Sequence, residues 1–251
     1  MSRSSSSSTQ RPKVLGVGSP KGGVGKTQSA VTLAVLAANE GYNVLLIDAD
    51  DNRSAYDWTM RAGELMPIDV DMVEDSAKAL TRLRELVDYD LVIVDLPGAK
   101  SSDAWTALLN GADGSPVVDA LLVPSGVRVM DLRPVVEVLR KAVMPAGVPY
   151  LLVGTLVKTP SVPNALHDLT EIASTGVTVA RTMIRDLSVH AEAVAANRPI
   201  TAMPGGKHST ARAGEREFRL LAGEVFAGLL GMKWPEPELS KDSSTDERVA
   251  Q

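Results

Sequence analysis

Residues 19–28 read SPKGGVGKTQ, directly after the apolar run Val14-Leu15-Gly16-Val17. Gly22, Gly23 and Gly25 let the backbone bend so that successive N–H groups converge on an anion. Lys26 is placed to reach the β- and γ-phosphates of a nucleotide, and the Thr27 hydroxyl to ligate Mg²⁺. A strand expected before the loop and a helix expected after it aim the positive helix end at the same anion. In that context the pattern predicts a phosphate-binding loop rather than a glycine turn without ligand. Two residues depart from the ordinary pattern. Pro20 stands five before Gly25, where a glycine is usual, and Lys21 adds a second lysine.

Working outward from the loop, β-branched runs alternate with longer amphipathic stretches. Strands are expected at Val14–Gly18, Asn43–Asp48, Leu91–Asp95, Ala120–Pro124, Tyr150–Leu156 and Val177–Ala180. Helices are expected near Lys26–Asn39, Ser54–Ala62, Ser76–Val87, Ser102–Leu109, Leu132–Val143, Pro163–Ser174, Ser188–Ala196 and Ala213–Leu230. This alternation predicts an α/β fold: a P-loop NTPase-like three-layer sandwich, with a mostly parallel twisted sheet covered by helices on both faces. LVIVD at 91–95 is nearly all apolar, as a strand buried on both faces should be. No internal repeat is visible.

The 251 residues suit one large α/β domain. Residues 13–232 are expected to form it. The serine-rich segment 1–12 and the acidic, proline-broken segment 233–251 are expected to be loose tails, because neither can bury enough surface to order itself. No apolar h-region precedes residue 13, and no run approaches bilayer-spanning length. Cysteine is absent, which excludes disulfides, thiolate metal sites and thiol nucleophiles and fits a cytoplasmic protein. The net charge of −5 gives no global attraction to nucleic acid, so any DNA contact needs a local patch.

KGGVGKT resembles the deviant Walker A loop of the ParA/MinD superfamily of ATPases. The resemblance extends from Lys13 to Leu230, and the segments NRSAYDW, YDLVIVD and TMIRDLSVHAEAVAANRPI are most similar to small plasmid-type partition ATPases. It implies that Lys21, Gly22, Gly23, Val24, Gly25, Lys26, Thr27 and Gln28 contact ATP. It also implies that Lys21 reaches across an ATP-bridged homodimer to the partner's nucleotide, as a cation supplied in trans. Asp95, at the end of LVIVD, matches the Walker B acid, with Mg²⁺ held by Thr27, Asp48 and Asp95. Asp48 and Asp50 match the DxD of the first switch, where Asp50 would orient the attacking water. Lys21, Lys26 and Asp50 are thus the expected catalytic groups. The alternative for the three aspartates is a strand-end or helix-capping role.

Three departures bear on hydrolysis: Asp51-Asn52 replaces the family's Pro-Gln, Pro97-Gly98 replaces a proline pair, and Gln28 replaces a hydroxyl. The cysteine-dependent branches are excluded, and the acidic end lacks the basic amphipathic face of membrane-binding relatives. No membrane partner is therefore expected. The implied function is an ATPase that is slow until stimulated, dimerises on ATP and binds DNA without sequence preference on the nucleoid. It would segregate a plasmid or chromosome through a ParB-like centromere-binding or cargo adaptor. Positioning of a non-DNA cargo, such as a microcompartment, and a small-molecule ligase or kinase remain alternatives on the same scaffold.

Arg212, Arg216 and Arg219 recur at helical spacing and are the expected DNA contacts, with Lys207, Arg181 and Arg185 nearby; a solvated face interleaved with Glu215 and Glu217 is the competing reading. His167, His190 and His208 lack metal-ligand spacing and read as surface or helix residues. Trp58 and Trp105 read as packing residues. Residues 121–131, LLVPSGVRVMD, are placed to line the nucleotide or dimer surface, with a plain strand-end turn the stronger alternative.

Overall fold

Five apolar runs fold as strands with every residue buried or nearly so: β1 (Lys13–Val17), β2 (Val44–Asp48), β4 (Leu91–Asp95), β5 (Ala120–Ser125) and β6 (Tyr150–Gly154). The short β3 (Asp69–Met72) completes a six-stranded, all-parallel sheet of order β3-β2-β4-β1-β5-β6. The computed structural model describes residues 11–73, 76–98, 102–205 and 209–236. Among these, no helix is long and apolar enough to cross a membrane.

Helices cover both faces. α1 (Lys26–Asn39), α2 (Ser54–Ala62), α7 (Ser188–Ala195) and α8 (Ala211–Ala222) share one core with the strand residues facing them. α3 (Ser76–Leu80), α4 (Ser102–Asn110), α5 (Val129–Val138) and α6 (Val162–Ser174) share the other. α1 is buried almost all round, from Ser29 through Ala37. Its alanines and small aliphatics allow that, since it lies between the sheet and the helices beside it. It ends where Gly41, at φ 93°, takes the left-handed conformation and the Tyr42 N–H returns to the Ala37 carbonyl.

The structure corrects several expected elements. β3, with the sequence DVDM, is an edge strand of alternating exposure, and its two aspartates conceal it from an apolar-run reading. Val177–Ala180 is not a strand. It touches β6 through the single bridge Leu152–Val179, and a second bridge, Val157–Arg185, follows after the chain leaves the ladder. Together they cover the free edge of β6. The helix expected at Ser76–Val87 stops at Leu80 and resumes only as a 3-10 turn, Leu83–Glu85. α5 and α8 start earlier than expected, and each passes into a π-helical segment, Leu139–Val143 and Gly223–Leu229. Trp234, near the start of the stretch read as a tail, packs partly buried against the core, beside an exposed Lys233. The Tyr42 hydroxyl donates to the Lys233 carbonyl, and Trp234 meets Phe226 at 4.8 Å between ring centroids.

The register places the chemistry. Asp48 of β2 lies opposite Asp95 of β4, and Asp95 opposite Val17 of β1. Both acids therefore sit at the carboxyl edge of the sheet, level with the start of the glycine loop, where parallel sheets hold their ligands.

Candidate functional site

The loop is built to leave its inner surface open. Gly23 and Gly25 have φ of 70° and 79°, a left-handed conformation that glycine adopts without strain. Gly25 caps α1, and no acidic residue occupies the first turn to neutralise the positive helix end. A Cβ added at Gly22 or Gly23 would meet no atom within 4 Å, so the concave side is free to take an anion. The loop is braced from outside. The buried Thr155 hydroxyl, just past β6, lies 2.7 Å from the Val24 carbonyl and 3.1 Å from the Ser125 carbonyl. Sequence reading missed Thr155, because a lone threonine at a strand end carries no signal.

The two lysines point to different partners. Lys26 is buried, and its Nζ donates to the Lys21 carbonyl at 3.3 Å, folding over the loop where phosphates would lie. Lys21 turns away and pairs with Asp131 Oδ1 in the first turn of α5. The end of the segment 121–131 thus meets the loop through Asp131.

Asp95 is 1% exposed. One of its oxygens accepts the Thr27 hydroxyl at 2.7 Å, and the other is buried without a partner. Burial is the main cause that pushes its carboxyl up to about 7; the Thr27 hydrogen bond and Lys26 oppose it, and nearby Asp48 and Asp50 add to it. A hydroxyl and an orphaned carboxylate oxygen beside a phosphate cradle form a hard-oxygen donor set that fits Mg²⁺.

Asp48 serves a second purpose. Its Oδ1 accepts the Asp50 N–H at 3.1 Å and its Oδ2 the Tyr56 N–H at 2.9 Å. It therefore supplies from β2 the cap that α2 lacks at its own N-cap, Arg53. This is the helix-capping role that stood as the alternative. Burial raises the Asp48 carboxyl as well, with those backbone hydrogen bonds opposing. Asp50 lies half-buried just past β2, one oxygen accepting the Asn52 backbone N–H at 3.0 Å and side-chain amide at 2.8 Å.

A cleft of about 410 Å³ runs from Gly23, Lys26 and Thr27 to Leu156, Ile184 and Val194. Its far end is apolar, and Leu156 stands at its lip in a left-handed conformation, φ 54°, that leucine rarely adopts. Gln28 lines the cleft and donates along α1 to Thr32 at 3.1 Å. His190, read as a surface or helix residue, is on α7 but buried at the cleft, edge-on to Phe218. Trp58 and Trp105 are buried, as expected of packing residues.

The arginines are divided. Arg212 and Arg216 are exposed one turn apart on α8, and neither pairs with a described carboxylate. Arg219 pairs with Glu215 at 2.9 Å and with Glu40 at 3.3 Å. Arg185 pairs with Glu217 and Arg181 with Glu224. Lys207 and His208 lie outside the described residues.

Comparison with known proteins adds to this geometry. The profile of the CobQ/CobB/MinD/ParA nucleotide binding domain matches residues 15–200. Over 219 residues the chain is 33% identical to Maintenance of carboxysome distribution protein A of Gloeobacter kilaueensis, which spans 87% of this chain and 96% of that protein. Among solved structures it is similar to a plasmid partition protein of Borrelia burgdorferi bound to AMPPNP, at 18% identity and a TM-score of 0.63, over 86% of this chain and 100% of that one. It is likewise similar to the cell division ATPase MinD of Pyrococcus furiosus, at 21% identity and a TM-score of 0.63, over 85% and 98%.

Proposed function

We propose a function from one premise: this chain belongs to the CobQ/CobB/MinD/ParA nucleotide-binding domain family. It is a positioning ATPase of the ParA/MinD type. The observation that carries the reading is the division of labour between two lysines of one loop. Lys26 folds over the phosphate cradle, whereas Lys21 is directed out of it. A lysine in the loop that does not serve its own nucleotide is available to another subunit's.

ATP would lie with its phosphates on Gly22–Thr27 and its nucleoside toward Leu156 and Ile184. Thr27 and Asp95 would hold Mg²⁺, which would offset the negative charge of the phosphates. Asp48 would act behind them by fixing α2 and the switch that carries Asp50. Asp50, just past β2, would orient water for attack on the γ-phosphate. Since the γ-phosphate would gain its contact with the second subunit only in the closed dimer, hydrolysis would open it, and a partner that completes the site would set the rate.

In this reading the dimer works on nucleoid DNA in the cytoplasm, with Arg212 and Arg216 as phosphate contacts, and an adaptor couples it to a cargo. The relative that spans 87% of the chain is by name a carboxysome distribution protein. That resemblance supports a proteinaceous cargo beside the plasmid or chromosome that the sequence first suggests. The test is retention on non-specific DNA with ATP and Mg²⁺ at low salt, with Lys26→Ala as control. Retention by the wild type alone, only with ATP, is expected. Retention indifferent to nucleotide overturns the reading.

A further inference from the structure

Lys21 is held inside its own subunit at both ends. Its Nζ pairs with Asp131 across 110 positions of sequence, while its carbonyl accepts from Lys26. Asp131 reaches the loop because Gly126 has no side chain: a Cβ there would lie 2.6 Å from Asp131 Oδ2. Two further facts describe the setting. Asp131 is in the first turn of α5, where a carboxylate is favoured by the helix end. The residues before it, Val129 and Met130, are 71% and 83% exposed, so uncovered apolar surface borders the ion pair.

We infer that Asp131 is a positioning residue that holds Lys21 in cis in the monomer and releases it when a second copy of this chain presents its nucleotide phosphates. The inference rests on the reading of Lys21 given above. The exchange is electrostatically directed. A single carboxylate offers one negative charge, whereas a triphosphate at the same lysine offers several. The pair is also weak enough to yield, since both side chains keep contact with water, at 36% and 26% exposure. A part-exposed pair of this kind biases an equilibrium by at most about fivefold. Dimer formation breaks one pair in each subunit. Removing both should therefore tighten the dimer by up to the square, about 25-fold.

Two variants separate charge from position. Asp131→Asn removes the charge and keeps the shape. Gly126→Ala keeps the charge and displaces the carboxylate, at a backbone position that needs no positive φ. Sedimentation velocity of the full chain, with ATP and Mg²⁺ over a range of protein concentrations, reads dimer affinity. A fluorescent ATP analogue, titrated at concentrations where the chain is monomeric, reads nucleotide binding. Both variants are expected to dimerise more tightly than wild type, by up to about 25-fold, with nucleotide binding to the monomer little changed. A purely structural role for Asp131 cannot produce that gain. A wild type that dimerises with ATP beside variants that dimerise equally or more weakly overturns the inference and leaves the proposed function standing. A wild type that binds ATP and stays monomeric overturns both.

Discussion

Replacing Asp95 with Asn measures what it costs to hold a carboxylate beneath the glycine loop. Asp95 is 1% exposed, one of its oxygens has no partner, and burial raises its carboxyl from about 3.8 to about 7. A carboxyl whose pKa rises on folding binds its proton more tightly in the folded state. Its ionised form therefore lowers stability as pH climbs above about 4, and the loss is complete just above 7. The whole interval corresponds to about 4 kcal/mol, of which about 2–3 kcal/mol falls between pH 5 and pH 8. Asp95→Asn has no such ionisation. Asp48, which is also raised, is common to both proteins and largely cancels. Urea unfolding without nucleotide and with a chelator, at pH 5 and pH 8, should show the variant gaining on the wild type by about 2–3 kcal/mol as pH rises. A gap that stays constant or narrows refutes the argument that an ionised Asp95 is destabilising until a cation joins it.

Two more predictions follow from contacts at the site. Thr155→Val removes the hydroxyl that braces the Val24 carbonyl, and should cost about 1–3 kcal/mol of stability and weaken ATP binding; unchanged melting and unchanged titration would show that the brace is dispensable. Reversing Arg212 and Arg216 to Glu removes four cations per dimer and should flatten the dependence of log affinity for DNA on log salt by about 3–4; an unaltered slope would exclude this face of α8 as the DNA contact.

Much of the framework was legible because its signals are local. The runs at 91–95 and 120–124 are too apolar to lie anywhere but the middle of a parallel sheet, and the glycine spacing at 22–25 marks the open loop before α1. β3 was hidden because an edge strand can alternate aspartate with valine and methionine. The break after Leu80 was hidden because apolar periodicity runs on through Leu83 and Leu86 while the backbone does not. Residues of the candidate site divided in the same way. Lys26, Thr27 and Asp95 announce themselves by motif, and the register brings Asp95 beside Asp48. The capping role of Asp48, the brace from Thr155 and the pairing of Lys21 with Asp131 depend on contacts between distant segments, which spacing in one sequence does not encode. His190 reads as an ordinary helical residue until α8 places Phe218 against it.

The central claim is that Lys21 belongs to the other subunit's nucleotide. Sedimentation velocity of wild type and Lys21→Ala, each saturated with a non-hydrolysable ATP analogue and Mg²⁺, tests it most directly. The account predicts a dimeric wild type and a monomeric variant that still carries nucleotide. A Lys21→Ala protein that dimerises as readily as the wild type would contradict it.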